Sequence, residues 1–579
     1  MNLDPITMEV VLNRLREIAA TMEHALYHSG YSPILRESQD GTAGLTDAAG
    51  RVVIVSGGLQ YHSLPYYHAV QGVLARYPAA TMREGDGFIV NDPYKGGNPH
   101  VPDMVAVTPV FYRGDIIAFA VSVAHKADMG GLVPGSSGAG AREIFHDGLL
   151  LPPVRYRTGD GVNEEVEAII RNNSRVPELV LGDLRGQIGC THLGATRLRL
   201  LADEYGVDVV TAAMASLLRV TALRLKAELR GWPDGSAEAE GFLDHDGADK
   251  HTPVRIHVRA TKEGERLTLD FSGCSDQTRG PVNVNTPTAQ AVSLLAVLAA
   301  TDPTIPMNAG LMDVVDFILP PRKVVSPQFP ATVNHYFPTS HLVYTCVLAA
   351  LGQFNPSRAV APSGLGTGAI AVGYARARSG IPMVQYELMV TSLGGTSEHD
   401  GASVVLPMNH YTPSTPVEIL ETEYPVMVRR FDIWRDSGGA GKHRGGVGFV
   451  REYEFLDDCI FTVRTSNHSY GAWGLFGGKG PSTSRTVINP DRPDREGLGP
   501  METRQLKAGD VVRLEQSGGA GYGDPRERPV EEVQEDVQSG YISVESAAVD
   551  YGVVIDPTRG AVDGEATREL RSARGLEHA

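Results

Sequence analysis

Between Asp92 and Asp128 the chain reads NDPYKGGNPHVPDMVAVTPVFYRGDIIAFAVSVAHKAD. Two β-prone runs, 104–112 and 116–124, flank Arg113-Gly114-Asp115. They predict an antiparallel hairpin in which Asp103 faces His125 if the turn centres on Gly114. Directly opposed residues in such a ladder hold their Cβ atoms roughly 5 Å apart, so a carboxylate and an imidazole can reach one ion. His100 precedes Asp103 by three residues across Val101-Pro102, and the proline stops a helix and lets the chain fold back toward the strand end. Two imidazoles and a carboxylate at one rim of a sheet suit Zn, Mn or Fe(II), and so few protein ligands leave a position open to water or substrate. The competing reading is a His–Asp hydrogen bond that only fixes the turn. Six ionisable residues favour the ion: Asp92, His100, Asp103, His125, Asp128 and His146 fall within 55 residues of an otherwise apolar sheet, and burying them without a cation is costly.

A second acidic segment, RESQDGTAGLTDAAGR, supplies Glu37, Asp40 and Asp47 just before a strand. It is either a solvated turn or the source of a fourth ligand, Asp40, with Glu37 hydrogen-bonded behind a histidine to orient it.

These residues need elements to hold them. Asp4 and Pro5 open a helix whose apolar positions Met8, Val11, Leu12, Leu15, Ile18, Ala19, Met22 and Leu26 recur at helical spacing until Gly30. From about 31 to 160 short β runs alternate with Gly/Pro/Asn turns, and a helical pair is expected over about 194–232 as a cover for that sheet. VRIHVRA and RLTLDFSG read as strands, AQAVSLLAVLAA and TSHLVYTCVLAALGQF as helices. The stretch from 381 to about 525 is β-rich and crowded with glycine, and a charged helix-turn-helix closes the chain as a brace. The fold class expected is α+β, a large mixed, glycine-rich β-sheet architecture with covering helices. Four regions follow: 1–235 carrying the metal residues, 236–380 α+β, 381–528 β-rich and 529–579 a helical tail.

The 579 residues carry 52 Lys+Arg against 69 Asp+Glu, a formal charge of −17, which disfavours binding to nucleic acid. Four cysteines lie 72 or more residues apart, neither a disulfide framework nor a thiolate cluster. The N-terminus is broken by charges and reads as neither signal peptide nor membrane span, so the cytoplasm is the expected compartment. No GxxxxGK[ST] occurs, since DSGGAGKHRGG has histidine where Ser/Thr is required, and GLGTGA at 364–369 is half a dinucleotide fingerprint. No GxSxG elbow is present.

DPITMEVVLNRL, RESQD, GDGFIVNDPYKGGNPHVPDM, His125-x2-Asp128-x-Gly130, NNSRVPELVLGDLRGQI, DFSGCSDQTRGPVNV, PVEILETEYPV, RDSGGAGKHRGGVG and SGGAGYGDPRERP follow one another in an order that resembles the hydantoinase B/oxoprolinase family over nearly the whole chain. The resemblance implies a division of labour. A separate A-type subunit of the actin/hexokinase-like ATPase class binds ATP and Mg and phosphorylates an amide or ketone oxygen, and this chain completes the chemistry at one divalent ion (Zn, Mn or Fe) in a heterotetramer or larger assembly. By similarity the ligands are His100, Asp103 and His125, with Asp40 as the fourth. The expected reaction is ATP-dependent hydrolysis of a cyclic amide C–N bond, with Asp92 or Asp128 as general base or substrate N–H anchor. The alternative is a subunit of a ketone carboxylase of the acetone or acetophenone type. A third reading is an Fe(II) oxygenase triad, and a fourth a silent scaffold for an ATPase. The chain departs from the family pattern at Gln60-Tyr61-His62-Ser63-Leu64-Pro65 and at His125-Lys126, and His62 joins the candidate catalytic residues. NHYFPTSH at 334–341 is bulkier than the family pattern, and its aromatic pair either lines a substrate cavity or fills core, the commoner role of buried aromatics.

Overall fold

The computed structural model describes residues 4–375, 380–405, 408 and 412–575. The architecture is α+β, with covering helices and antiparallel sheets joined by glycine-rich loops. The N-terminal helix runs Pro5–His28, with the Asp4 carboxylate accepting from the Thr7 amide as its cap. It lies on a seven-stranded sheet built from β1 (Gly41–Asp47), β2 (Val52–Val55), β3 (Gly87–Val90), β4 (Asp103–Tyr112), β5 (Asp115–His125), β6 (Val154–Thr158) and β7 (Gly161–Val162). The strand order is β2-β1-β5-β4-β3-β6-β7.

A second sheet, β11-β10-β9-β8, is formed by β8 (Gly235–Leu243), β9 (Val254–Glu263), β10 (Arg266–Asp270) and β11 (Val315–Ile318). It packs against two apolar helices, Thr286–Ala300 and Tyr336–Leu351. The last two sheets interleave in sequence. One joins β12 (Gly368–Tyr374) and β13 (Met383–Met389) to β16 (Cys459–Arg464) and β19 (Met501–Leu506). The other is made of β14 (Val426–Ile433), β15 (Phe449–Phe455), β17 (Arg485–Ile488), β18 (Glu496–Leu498) and β20 (Val511–Gln516). Helices Val530–Gln538, Val544–Tyr551 and Gly564–Gly575 follow. The first of them is tied to the glycine-rich loops by Asp536, which pairs with the buried Arg444 and Arg528. Among the described residues no single helix is long and apolar enough to cross a membrane.

The structure departs from the sequence reading in two helices. The first of the covering pair begins at Pro177 rather than near 194, and the pair, Pro177–Tyr205 and Val207–Arg230, bends by 112° at Gly206. The early turns are disguised by Gly182, Gly186, Gly189 and Gly194, residues that cost an isolated helix stability. Here three of them permit contact: a Cβ at Gly182, Gly186 or Gly194 would run into Tyr31, Ser29 or Met22 respectively. The second departure is a helix over Ser63–Arg76, within the segment read as β runs; it buries Tyr66, Ala69, Val70 and Val73.

The glycine clusters of the C-terminal half have the same physical cause. Gly394, Gly445 and Gly519 lie in layers of backbone hydrogen-bonded to one another, with Gly519 N donating to Gly446 O at 2.8 Å and Gly395 N to Ala520 O at 2.9 Å. A Cβ on Gly519 would meet the Leu393 carbonyl, and one on Gly445 the Gly519 carbonyl. The stretch around Lys442 is therefore interlocked backbone rather than a phosphate cradle. Gly519→Ala is expected to lower unfolding stability by about 1–3 kcal/mol or more, measured by chemical denaturation, whereas alanine at Gly497, where a Cβ meets nothing, should be nearly neutral.

Candidate metal centre

The β4–β5 hairpin pairs Asp103 with His125, as expected from sequence, but the turn is one residue tighter than assumed. Arg113 and Gly114 both have positive φ, 52° and 96°, the conformation a two-residue hairpin turn requires. A bulge between Val110 and Phe111 then absorbs one residue and restores the Asp103–His125 register. The hairpin is held from behind by Gln187, whose amide donates to Met104 O at 2.8 Å and Ser122 O at 3.0 Å while accepting from the buried Lys126 Nζ at 2.8 Å. Three asparagines fix the loop before β4. Asn91 donates to Val101 O, Asn98 to Asn91 O and His100 O, and Asn285 to Asn98 O, all at 2.7–2.9 Å. Pairing of β1 with β5 brings Asp40 alongside, and the His125 amide donates to Asp40 O at 3.0 Å.

The donor atoms of His100, Asp103 and His125 all lie within 4.8 Å of one another, and all three residues are buried. His100 Nδ1 is 3.1 Å from the Asn334 carbonyl, which can only accept, so this nitrogen carries the proton and Nε2 presents a lone pair. That lone pair faces Asp103 Oδ2 at 3.2 Å. His62 Nε2 approaches the same oxygen at 3.8 Å. Asp103 Oδ2 and both ring nitrogens of His62 and of His125 make no hydrogen bond among the described residues. Burial pushes the His125 imidazole down to about 3 and that of His62 to about 4, so both are neutral, ligand-ready rings at ordinary pH. Burial opposes ionisation of Asp103, and positive charge on the facing imidazoles, His100 foremost, is what would outweigh it and hold this carboxyl at about 2; where those rings are neutral, a cation would supply that charge. Burial, then the Asp103 charge, raises Asp40 well above the carboxylate range. Converging lone pairs on a buried carboxylate and neutral imidazoles fit a divalent cation, and every donor is nitrogen or oxygen, as Zn, Mn and Fe(II) accept.

These residues open on a small cavity, about 30 Å³, lined by Asp40, Tyr61, His100, His125, Tyr336, Phe337, Tyr386 and Arg464, among others. The hydroxyls of Tyr61 and Tyr336 stand 3.3 Å apart, and the rings of Tyr336 and Tyr386 lie 5.0 and 4.6 Å from those of His100 and His125. The aromatic pair Tyr336-Phe337 thus lines the cavity instead of simply filling core. Sequence reasoning missed Tyr386, Asn334 and Arg464, which reach the centre from distant elements. The only hint was the unusual bulk of NHYFPTSH.

Not every candidate converges. Asp92 caps the single turn Pro93–Gly96, accepting from the Tyr94 amide at 3.0 Å and pairing with Lys95 at 3.2 Å. Asp128 is saturated by the amides of Gly135 and Arg175 and by the Arg175 guanidinium, at 2.7–3.0 Å, and organises its own loop. Both carboxylates are engaged by donors of their own loops, and neither is among the residues lining the cavity of His100 and His125. Glu37 accepts from Arg36 at 2.7 Å rather than from a histidine, so it orients no ligand. His146 accepts from the Arg142 amide at 3.1 Å within its own loop. Asp147 accepts from Thr332 Oγ1 at 2.8 Å through both oxygens, and burial raises it to about 7. An acid whose pKa is raised on folding favours the fold below its unfolded value and loses that contribution as pH rises toward its folded one. Relative to Asp147→Asn, the wild type should lose stability by about 1.4 kcal/mol per pH unit between roughly pH 4 and 7 and run parallel above that. Equal pH dependence of the two denaturation profiles would refute this.

Residues 4–525 match the Hydantoinase B/oxoprolinase family. The chain is 32% identical to a protein of Pseudomonas sp. (strain NS671) provisionally named as the B-type chain of a D-/L-hydantoinase, an alignment covering 98% of each. The crystal structure of the ATP-dependent caprolactamase from Pseudomonas jessenii superposes with a TM-score of 0.91 at 27% identity, covering 99% of this chain and 100% of that one. The nucleotide-free structure of acetone carboxylase shares the fold, with a TM-score of 0.91 at 20% identity over 99% of this chain and 83% of that one. With the convergence of His100, Asp103 and His125 in a fold matched end to end, the chain belongs to the hydantoinase B/oxoprolinase family.

Proposed function

We propose that this chain is the metal-dependent subunit of an ATP-dependent cyclic amidase, opening a lactam or hydantoin ring whose carbonyl oxygen has been phosphorylated by an A-type ATPase partner. The carrying observation is the buried set His100, Asp103 and His125, whose donor atoms lie within 4.8 Å of one another with no hydrogen bond to either nitrogen of His125. The cyclic-amidase reading is supported by the end-to-end likeness to the hydantoinase chain and to the caprolactamase. The partner is supported by the naming of the hydantoinase relative as one subunit of several and by a sequence without a phosphate loop.

An unactivated lactam resists water because amide resonance makes its carbon a poor electrophile and its nitrogen a poor leaving group. Phosphorylation on oxygen cures the first problem and sharpens the second. Once water has added, the tetrahedral carbon can expel phosphate and regenerate the lactam, or expel the ring nitrogen and open the ring to an acyl phosphate, which a second water hydrolyses to the carboxylate and inorganic phosphate. A divalent cation held by His100, Asp103 and His125, with Asp40 or His62 completing the set, would supply Lewis acidity and lower the pKa of water toward neutrality. The protein decides the rest by putting a proton on the ring nitrogen, so that C–N cleavage wins. Tyr61 and Tyr336, whose hydroxyls are held protonated by burial, line the cavity where that nitrogen would sit.

Turnover should be measured with the partner ATPase and ATP on hydantoins, 5-oxoproline, caprolactam and small ketones, with and without bicarbonate. The expected outcome is ATP-dependent ring opening indifferent to bicarbonate. A bicarbonate requirement would replace hydrolysis by carboxylation, and turnover without ATP would remove both. His125→Ala should carry less than about a tenth of the wild-type metal and no ring-opening activity. Full activity in that variant, or wild type without metal after purification from metal-replete cells, would defeat the assignment.

A further inference from the structure

Four arginines are buried among the described residues: Arg444, Arg451, Arg464 and Arg528. Three of them meet a carboxylate. Arg444 pairs with Asp536 at 2.9 Å, Arg451 with Glu387 at 3.1 Å, and Arg528 with Asp400 and Asp536 at 2.7 and 2.8 Å. Arg464, 2% exposed, has no carboxylate oxygen within 4.0 Å among the described residues. Its partners are neutral: Nη1 donates to Asn334 O and Oδ1 at 3.1 and 2.5 Å, and Nη2 to the Tyr386 hydroxyl at 2.7 Å. A guanidinium carries five donors; three are engaged, and Nε–H has no hydrogen-bond partner among the described residues. The side chain stands at the end of β16, where Arg464 pairs with Ala369 of β12, and both residues line the cavity that holds His100 and His125.

A permanently charged group buried without a counter-charge costs several kcal/mol, and a bound anion offsets that cost. Asp40, Asp103 and one divalent cation would be neutral together, and the buried Asp147, beyond 4.0 Å and raised to about 7 by burial, offers Arg464 only a distant partner, so its charge is unmatched at contact. We infer that Arg464 is an anion-binding residue, and that the substrate of this cavity presents an oxyanion to its unpartnered Nε–H. This rests on the cyclic-amidase reading for the identity of the substrate, while the anion site itself does not. Two sources of the same chemistry exist: a carboxylate that the cyclic amide carries throughout, or the phosphoryl group transferred to its carbonyl oxygen. Either is recognised through charge-assisted hydrogen bonds, which are stronger than neutral ones.

Inorganic phosphate is titrated calorimetrically into the full-length wild type, Arg464→Met, Arg464→Lys and His125→Ala, with metal content measured on each. The expected result is one phosphate per chain in wild type, affinity lower by about tenfold or more in Arg464→Met at unchanged metal content, and an intermediate value in Arg464→Lys. Equal affinity in Arg464→Met and wild type overturns the proposal, as does binding abolished in His125→Ala alone. Should Arg464→Met not fold, a wild-type crystal soaked in phosphate decides: an anion at hydrogen-bond distance from Arg464 Nε supports the inference, and none there at saturation refutes it. The source is read from the assembled enzyme with a carboxylate-bearing cyclic amide and its uncharged counterpart. A KM rise confined to the carboxylated substrate in Arg464→Met identifies the carboxylate, whereas an equal loss of kcat on both identifies the phosphoryl group. Unchanged KM and kcat on both substrates, with His125→Ala inactive, would sink the role of Arg464 and leave the hydrolytic reading standing.

Discussion

Lone pairs that face one another in a dry interior are the constraint around which this molecule is organised. The Asn334 carbonyl takes the proton-bearing nitrogen of His100, which turns the other nitrogen toward a carboxylate already approached by His62. Such an arrangement is repulsive unless a cation or a proton lies between the partners, so the surrounding structure must over-determine it. That is what the asparagine ladder Asn91–Asn98–Asn285 and the Gln187 clamp accomplish. Each satisfies backbone groups of the loop or hairpin that carries His100, Asp103 or His125, which holds these side chains facing one another.

Close approach of backbone is the second theme. Glycine accounts for 65 of the 579 residues, and in the helix Pro177–Tyr205 and in the C-terminal loops it stands where a Cβ would collide with a neighbour. The gain is proximity: the helix that clamps the metal-residue hairpin sits directly on the N-terminal helix, and interlocked loops carry β12, β13 and β16 to the cavity as rigid edges. Local helix propensity is sacrificed for this, and tertiary contacts restore the stability.

The cavity places unlike groups side by side: Asp40, the imidazoles of His100 and His125, the Arg464 guanidinium and the rings of Tyr61, Tyr336 and Tyr386 all line it. Asp92 and Asp128, candidates from the sequence for general base or substrate N–H anchor, cap a turn and anchor a loop. A carboxylate next to unsatisfied amides is worth more to the fold there than to a reaction.

By itself the sequence determined the hairpin, its Asp103–His125 register and the proximity of His100, because strand pairing across a short turn is a local matter governed by a period of two and by turn chemistry. The long, ordered run of shared motifs determined the family in the same way. Asp40 was legible as a candidate, but only the pairing of β1 with β5 brings it to the centre. His62 and Tyr336 were named in the sequence without a place, and Tyr386, Asn334 and Arg464 not at all; tertiary structure alone assembled them, from elements up to some 400 residues apart in the chain. The helix starting at Pro177 was hidden for a related reason, since its glycines have meaning only against Tyr31, Ser29 and Met22. Residues that converge through packing leave no spacing in the sequence, because the distance between them is set by which surfaces exclude water together and not by the length of chain that joins them.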